Sequence, residues 1–201
     1  DKDPSVRTHV MRVLSETADW TPGLHELALS GMKDADAIVQ RAAIDALGQH
    51  PAFENIKPVL ALRHQVPAAD THLLYVTRMT LRNQLTPEGN LTRLQSANLS
   101  ESDARAIADV AVAVRSPDAG AFLLKHIQQY NEDQETLVRY LRHAARYLPA
   151  GQMDELATFT RRKFADDVDL QLALFKSVQE GTAQRGATLS TGAHSWGDEL
   201  A

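Results

Sequence analysis

The strongest constraint on this chain is a repeat near its beginning. The segment DPSVRTHVMRVL, which starts at Asp3, is followed 33 residues later by DAIVQRAAIDAL, which starts at Asp36. The matched positions include Val6 and Val39, Met11 and Ile44, Val13 and Ala46, and Leu14 and Leu47. A weaker third copy starts at Asp70. A period in the thirties with an acidic residue at the start of each unit is typical of stacked helical hairpins, and it favours a scaffold surface over an active site.

Composition and helix punctuation indicate the same fold class. Aromatic residues make up only 5% of the 201 residues, and no segment shows the sustained alternation of a half-buried strand. Several helix starts are marked by a capping residue before proline, as in Asp3-Pro4, Thr21-Pro22 and Ser116-Pro117. We therefore predict an all-α protein, an α-α superhelix of about ten or eleven helices.

The chain is divided into three parts on these signals. Residues 1–85 are predicted to form helical hairpins, residues 86–181 less regular hairpins of the same solenoid, and residues 182–201 an irregular tail or linker. Gly48 is interpreted as a glycine that ends a helix. The apolar stripes predict a set of mostly buried residues: Val6, Val10, Leu14, Leu27, Val39, Ala43, Leu47, Leu60, Leu73 and Leu81.

The two opening segments resemble HEAT repeats, of the short bacterial kind that is also found in phycobilisome-lyase-like proteins. The positions that fit the HEAT pattern are Asp3, Val6, Val10, Val13 and Leu14, then Asp36, Val39, Ala43, Ala46, Leu47 and Gly48. The third copy departs from the pattern, with Thr77 and Thr80 in place of small apolar residues. The resemblance implies a non-catalytic scaffold or protein-interaction module within a larger protein. It implies no cofactor, and its partner would be another protein or a neighbouring domain.

The whole chain also resembles the HEAT segment of large modular secreted bacterial proteins that contain sugar-dehydrogenase-like and cytochrome c domains. The stretches DTHLLYVTRMTLRNQL, residues 70–85, and GTAQRGATL, residues 181–189, carry this resemblance. It implies an alternative function, a spacer of a quinoprotein-type sugar dehydrogenase or carbohydrate-active enzyme whose catalytic residues lie outside this chain. This resemblance also implies a periplasmic or secreted location. Without it, a cytoplasmic location is expected. Because Asp1 directly precedes a helix-start motif, we expect a segment of a longer chain.

Charge and cysteine content exclude several classes of function. The formal net charge is −5, which argues against binding to nucleic-acid phosphates. The chain has no cysteine, so it can form no disulfide, thiolate zinc site or iron–sulfur cluster. No apolar run approaches the roughly 18 residues of a membrane span.

Candidate catalytic and metal-binding residues lack the required spacing. Asp166, Asp167 and Asp169 could suggest a calcium site, but the central glycine and closing glutamate of a calcium loop are missing. Capping of the following helix is the preferred interpretation. The eight histidines include no zinc-protease pair, and no strained nucleophile turn is present. We predict no catalytic residue and no metal ligand in this segment.

Arginine provides the one predicted interaction site. Arg139, Arg142 and Arg146 form a stripe on one helix, and Arg161 and Arg162 cluster near the end of the next. One interpretation is a single positive patch that binds an acidic partner or a neighbouring domain. The alternative is that each arginine pairs with a carboxylate on an adjacent helix. Pairing of most of these guanidinium groups within the chain would favour the alternative.

Overall fold

The structure, a computed structural model, describes residues 1–201 and is all-helical, as the sequence predicts. It contains no β-strand and twelve α-helices, more than the ten or eleven expected. Short 3₁₀ turns, Phe53–Asn55 and Ala150–Gln152, precede two of the helices. The helices are α1 (Pro4–Glu16), α2 (Pro22–Gly31), α3 (Ala37–Gln49), α4 (Ile56–Gln65), α5 (Thr71–Leu85), α6 (Asn90–Gln95), α7 (Glu101–Ala111), α8 (Pro117–Gln129), α9 (Gln134–Tyr147), α10 (Met153–Lys163), α11 (Val168–Gln184) and α12 (Thr191–Glu199).

The helices begin where capping side chains satisfy free backbone N–H groups. Asp3, Thr21 and Ser116 each accept a hydrogen bond from the first turn of their helix, and proline follows each of them, as predicted. Asp167 caps α11 by accepting from the Leu170 N–H, which accounts for one member of the acidic group at 166–169. Further side-chain caps are Asp36, Asp70, Ser100, Asp133 and Ser190.

The chain divides into two compact units, Asp1–Asn90 and Leu91–Ala201. The prediction of an irregular segment over residues 182–201 is wrong, because α11 continues to Gln184 and residues 191–199 form α12. Ser190 caps this helix, and Trp196 anchors it: the indole is buried and its Nε1 donates to Gln171 Oε1 on α11 at 2.8 Å. A buried tryptophan therefore orders a segment whose composition resembles a linker.

In the first unit, α3 lies between α1 and α5, while α2 packs against α3 and α4 against α5. The interpretation of Gly48 as a helix end is wrong, because α3 continues to Gln49. A Cβ at Gly48 would lie only 2.7 Å from Thr80 Oγ1. Glycine is therefore required there by the close crossing of α3 and α5, not by the conformation of a helix end.

The predicted core of the first unit is correct at seven of its ten positions. The seven buried residues are Leu14, Val39, Ala43, Leu47, Leu60, Leu73 and Leu81. The prediction is wrong for Val6, Val10 and Leu27, whose exposed fractions are 43%, 38% and 41%. These three belong to α1 and α2, the edge hairpin of the unit. Helical spacing identifies an apolar face, but only a neighbouring helix can bury it.

In the second unit, α9 packs against α8 and α11, and α10 packs against α12. Gly181 on α11 allows α11 to approach α9 closely. A Cβ at this position would collide with the Arg142 carbonyl oxygen and lie 2.9 Å from the Ala145 Cβ. The contact between α9 and α11 is thus made partly by backbone against backbone.

A hydrogen-bond pattern recurs at the helix ends of both units. Carbonyl oxygens at the end of one helix accept from a side chain that lies 36 or 37 residues later, at the end of the helix two places on. The pairs are His50 Nε2 to Leu14 at 3.1 Å, Gln84 Nε2 to Leu47 at 2.8 Å, Lys163 Nζ to Ile127 at 2.6 Å, and Arg185 Nη1 to Leu148 at 2.5 Å. The carbonyls of Leu14 and Leu47 also accept from the backbone N–H groups of Thr17 and His50, so these side chains add a second donor at the ends of α1 and α3.

Gln84 extends this pattern into a buried network in the first unit. Its Oε1 accepts from the Ala52 N–H at 2.8 Å and from Asn55 Nδ2 at 3.1 Å. Asn55 Nδ2 also donates to the His50 carbonyl at 3.0 Å, and both amide side chains are fully buried. The network joins α5 to the connection between α3 and α4.

The core assignment can be tested at Leu47. Leu47→Ala should lower the free energy of unfolding by about 2–5 kcal/mol, because the side chain is completely buried. Val13→Ala is the control at a position 51% exposed, and it should change stability by less than about 1 kcal/mol. Urea denaturation followed by circular dichroism measures both. Equal losses would contradict the assignment.

The buried network can be tested at Gln84. Gln84→Met retains the length of the side chain but leaves the Ala52 N–H, the Asn55 amide and the Leu47 carbonyl short of partners. We expect a loss of about 2–4 kcal/mol in the free energy of unfolding. Gln179→Met, at an exposed position on α11, should have little effect. A neutral Gln84→Met variant would show that the network does not stabilise the unit.

Candidate functional site

One helix face of the first unit is both apolar and exposed. Val6, Val10 and Val13 on α1 are separated by four and three residues, so they lie on one side of the helix. We call these three residues the α1 ridge. No other helix has three large apolar side chains exposed to this degree. Val10 also lines a groove of about 180 Å³ with Leu27, which extends the apolar surface towards α2.

The five arginines that the sequence assigned to one positive patch are distributed among several helix contacts. Arg139 Nη2 lies 3.7 Å from Asp109 Oδ1 and thus links α9 to α7. Arg142 Nε lies 3.0 Å from Glu180 Oε2 and links α9 to α11. Arg161 Nε lies 2.9 Å from Glu199 Oε2, joining α10 to α12.

The remaining two arginines do not restore the patch. Arg146 Nη1 donates to Gln184 Oε1 at 3.3 Å, and its guanidinium lies over the Tyr147 ring. Arg162 is exposed and lines a shallow cleft together with Asp154 and Glu155. Because three of the five guanidinium groups pair with carboxylates of the same chain, the prediction of one free positive patch is corrected to a set of links between helices.

Other arginines make similar links from one hairpin to the next. Arg7 binds Asp34 through two bonds, Nε to Oδ2 at 2.7 Å and Nη2 to Oδ1 at 2.9 Å. Arg41 Nη2 lies 2.7 Å from Asp70 Oδ1, at the start of α5. The hydrogen bonds from Arg7 hold the pKa of Asp34 below its usual value, as does the backbone bond from Asp36. Both acids stay ionised and paired near neutral pH.

The second unit contains a cluster of charged residues around His126, which the sequence did not predict. Glu132 Oε1 accepts from His126 Nε2 at 2.6 Å and lies 2.6 Å from Arg105 Nη1. His126 is buried, and this burial lowers its pKa, although the bond to Glu132 acts in the opposite direction. The two residues lie on either side of a helix end, six positions apart, and this spacing matches no recognised motif.

The chemistry available to this cluster is limited. His126 lines a cavity of about 230 Å³ between α6, α7 and α8, and its Nδ1 has no hydrogen-bond partner. A neutral imidazole that donates through Nε2 leaves Nδ1 as a potential proton acceptor. The residues that line the cavity include no serine, threonine or cysteine. Lys125, beside it, donates through Nζ to the Gln95 carbonyl at 2.6 Å. Of the nucleophile types that proteins use, the lining contains only the amine of Lys125, which is bonded to Gln95, and the hydroxyl of Tyr130.

Other functional classes receive no support from the geometry. No group of three or more histidine or acidic side chains is placed to hold a metal ion. None of the twelve helices combines the length and apolar character that crossing a membrane requires. Comparisons with protein-family models, curated proteins and solved structures find no match for this chain.

The buried histidines predict a dependence of stability on pH. Burial lowers the pKa of both His126 and His143 in the folded state, so the unfolded chain binds protons more readily. The free energy of unfolding should fall as the pH decreases from about 7.5 through the unfolded value near 6.5. His126→Gln, which can still donate to Glu132, should reduce this fall, whereas His194→Gln at an exposed position should not. Urea titrations at pH 7.5 and 5.5 make the comparison, and an unchanged fall in the His126→Gln variant would contradict the assignment.

Proposed function

We propose that this chain is a non-catalytic helical-repeat scaffold, HEAT-like in its opening hairpins, that binds a protein segment through the α1 ridge. The observation that carries the proposal is the exposure of Val6, Val10 and Val13 on one helix face. A contiguous apolar face of this kind is typical of protein interaction sites. The bound segment would be a neighbouring domain or another protein.

The contacts between helices support a scaffold. Hydrogen bonds at spacings of 36 and 37 residues join α1 to α3 and α3 to α5 in the first unit, and α8 to α10 and α9 to α11 in the second. Arg7–Asp34 and Arg41–Asp70 add ion pairs between successive hairpins. Contacts that repeat between neighbours are what holds a solenoid together, since each hairpin alone cannot bury its apolar face.

The absence of catalysis is part of the same proposal. The His126–Glu132 pair provides a base, but no serine, threonine or cysteine lines its cavity, and the Lys125 amine there is bonded to the Gln95 carbonyl. Three of the five arginines of the predicted patch, Arg139, Arg142 and Arg161, are engaged with Asp109, Glu180 and Glu199. These three arginines thus serve contacts between helices, whereas the α1 ridge is apolar and exposed.

Site-specific photo-crosslinking tests this proposal. A benzophenone side chain at Val10 should yield an adduct with a protein segment outside residues 1–201, either in the same polypeptide or in another one. The control position is Arg12, which is exposed on the same helix and points away from the ridge. The crosslinked peptide is identified by mass spectrometry, and its binding to the purified chain is then measured directly.

Two outcomes separate the proposal from its competitors. Val13→Asp should weaken the measured binding at least about tenfold, because it places a charge within an apolar interface. Equal crosslinking at Val10 and Arg12 would contradict a specific ridge. A hydrolytic or redox turnover that is lost in the His126→Gln variant would overturn the non-catalytic assignment.

A further inference from the structure

The repeat shows what ordinarily covers a face like the α1 ridge. At the 33-residue offset, the three ridge residues correspond to Val39, Ala43 and Ala46 on α3. All three are completely buried in the structure. The first hairpin covers them: Val39 shares a groove with Val10 and Met11, and Ala43 lies against Gly31 at the end of α2. The same face is therefore closed in the second hairpin and open in the first.

The acidic residues at the start of the first hairpin make the same backbone contact as those at the start of the second. Asp3 N–H donates to Asp1 Oδ1 at 2.8 Å, and Asp36 N–H donates to Asp34 Oδ1 at 2.9 Å. The Asp34 carboxylate additionally receives two bonds from Arg7 of the preceding hairpin. The bonds to Asp1 from Arg7 reach only its backbone carbonyl. Asp1 thus presents the same carboxylate without the guanidinium that its counterpart binds.

We propose that the α1 ridge and Asp1 together form the docking surface for a further helical hairpin of the same repeat, placed before α1 in the polypeptide and carrying an arginine that pairs with Asp1. This inference rests on the proposed function and specifies its partner. The first helix of the occupant runs parallel to α1, as α1 runs parallel to α3. The parallel direction follows from Arg7–Asp34 near the two helix starts and His50–Leu14 near the two ends.

A second copy of this chain cannot reproduce the contact. The face that α1 presents to α3 contains Thr8, Met11 and Leu14, and it is buried within the chain. Val6 and Val13 lie on a different side of the helix, and Val10 lies at the boundary between the two sides, where it shares the groove with Val39. Two ridges related by a two-fold axis would bring identical faces together, whereas the contact between α1 and α3 joins two different faces. The occupant must therefore supply the Met11-type face from a hairpin of its own.

The test adds a second copy of residues 1–33 directly before Asp1, so that Lys33 of the added copy precedes Asp1 as it precedes Asp34. In the extended chain, amide hydrogen exchange in α1 should slow at least about tenfold, and the thermal midpoint should rise by about 3–5 °C. Asp1→Asn retains the acceptor for the Asp3 N–H. It should lower the midpoint of the extended chain and leave that of the 201-residue chain unchanged.

A double-mutant cycle identifies the predicted ion pair. Arg7→Gln in the added copy should lower the midpoint of the extended chain, and Asp1→Asn should then have no further effect. Unchanged exchange in α1, or equal effects of Asp1→Asn in both chains, would overturn the inference. So would a dimer of the 201-residue chain that Val10→Asp dissociates, detected by sedimentation. A crosslink from Val10 to a protein that is not such a hairpin would overturn this inference while retaining the proposed function.

Discussion

The structure depends on how the carbonyl groups at the helix ends are satisfied. Leu14, Leu47, Ile127 and Leu148 lie in or directly after the last turn of a helix, and the carbonyl oxygen of each accepts from a side chain 36 or 37 residues later. Each such hydrogen bond contributes about 0.5–1.5 kcal/mol and forms only where donor and acceptor meet, so it favours one neighbour and one axial position for that neighbour. Apolar packing makes helices associate, and these directional bonds determine which helix lies beside which.

The donors in these bonds explain how far the sequence could predict the fold. They are a histidine, a glutamine, a lysine and an arginine, so the pattern conserves a geometry but no residue type. Helix type, capping residues and the opening repeat follow from local spacing, which is why Asp3 and Thr21 were identified correctly. The role of Gly48 could not be read in this way, because it is set by Thr80 on another helix. The order of α12 likewise depends on a pocket for Trp196 that other helices build.

The candidate site was harder to predict than the fold, because exposure and side-chain pairing also depend on helices that are distant along the chain. Val6 and Val39 occupy the same position of the repeat, yet one is 43% exposed and the other is completely buried. Periodicity is identical in the two segments and cannot distinguish an edge hairpin from an inner one. The arginine stripe on α9 was visible in the sequence, but its pairing with Asp109 and Glu180 depends on helices that are distant along the chain. His126 and Glu132 meet only because the connection after α8 folds back.

The ion pairs give the opening repeat a direction. Arg7 reaches forward to Asp34 and Arg41 reaches forward to Asp70, so the second hairpin accepts through a carboxylate on one side and donates through a guanidinium on the other. A repeat of this kind has two chemically different edges. The edge formed by α1 presents apolar side chains and the carboxylate of Asp1, whereas the side of the first hairpin that faces the second presents Arg7. Such a surface selects the orientation of its partner as well as its apolar character, because a helix that docks in the opposite direction leaves the carboxylate unpaired.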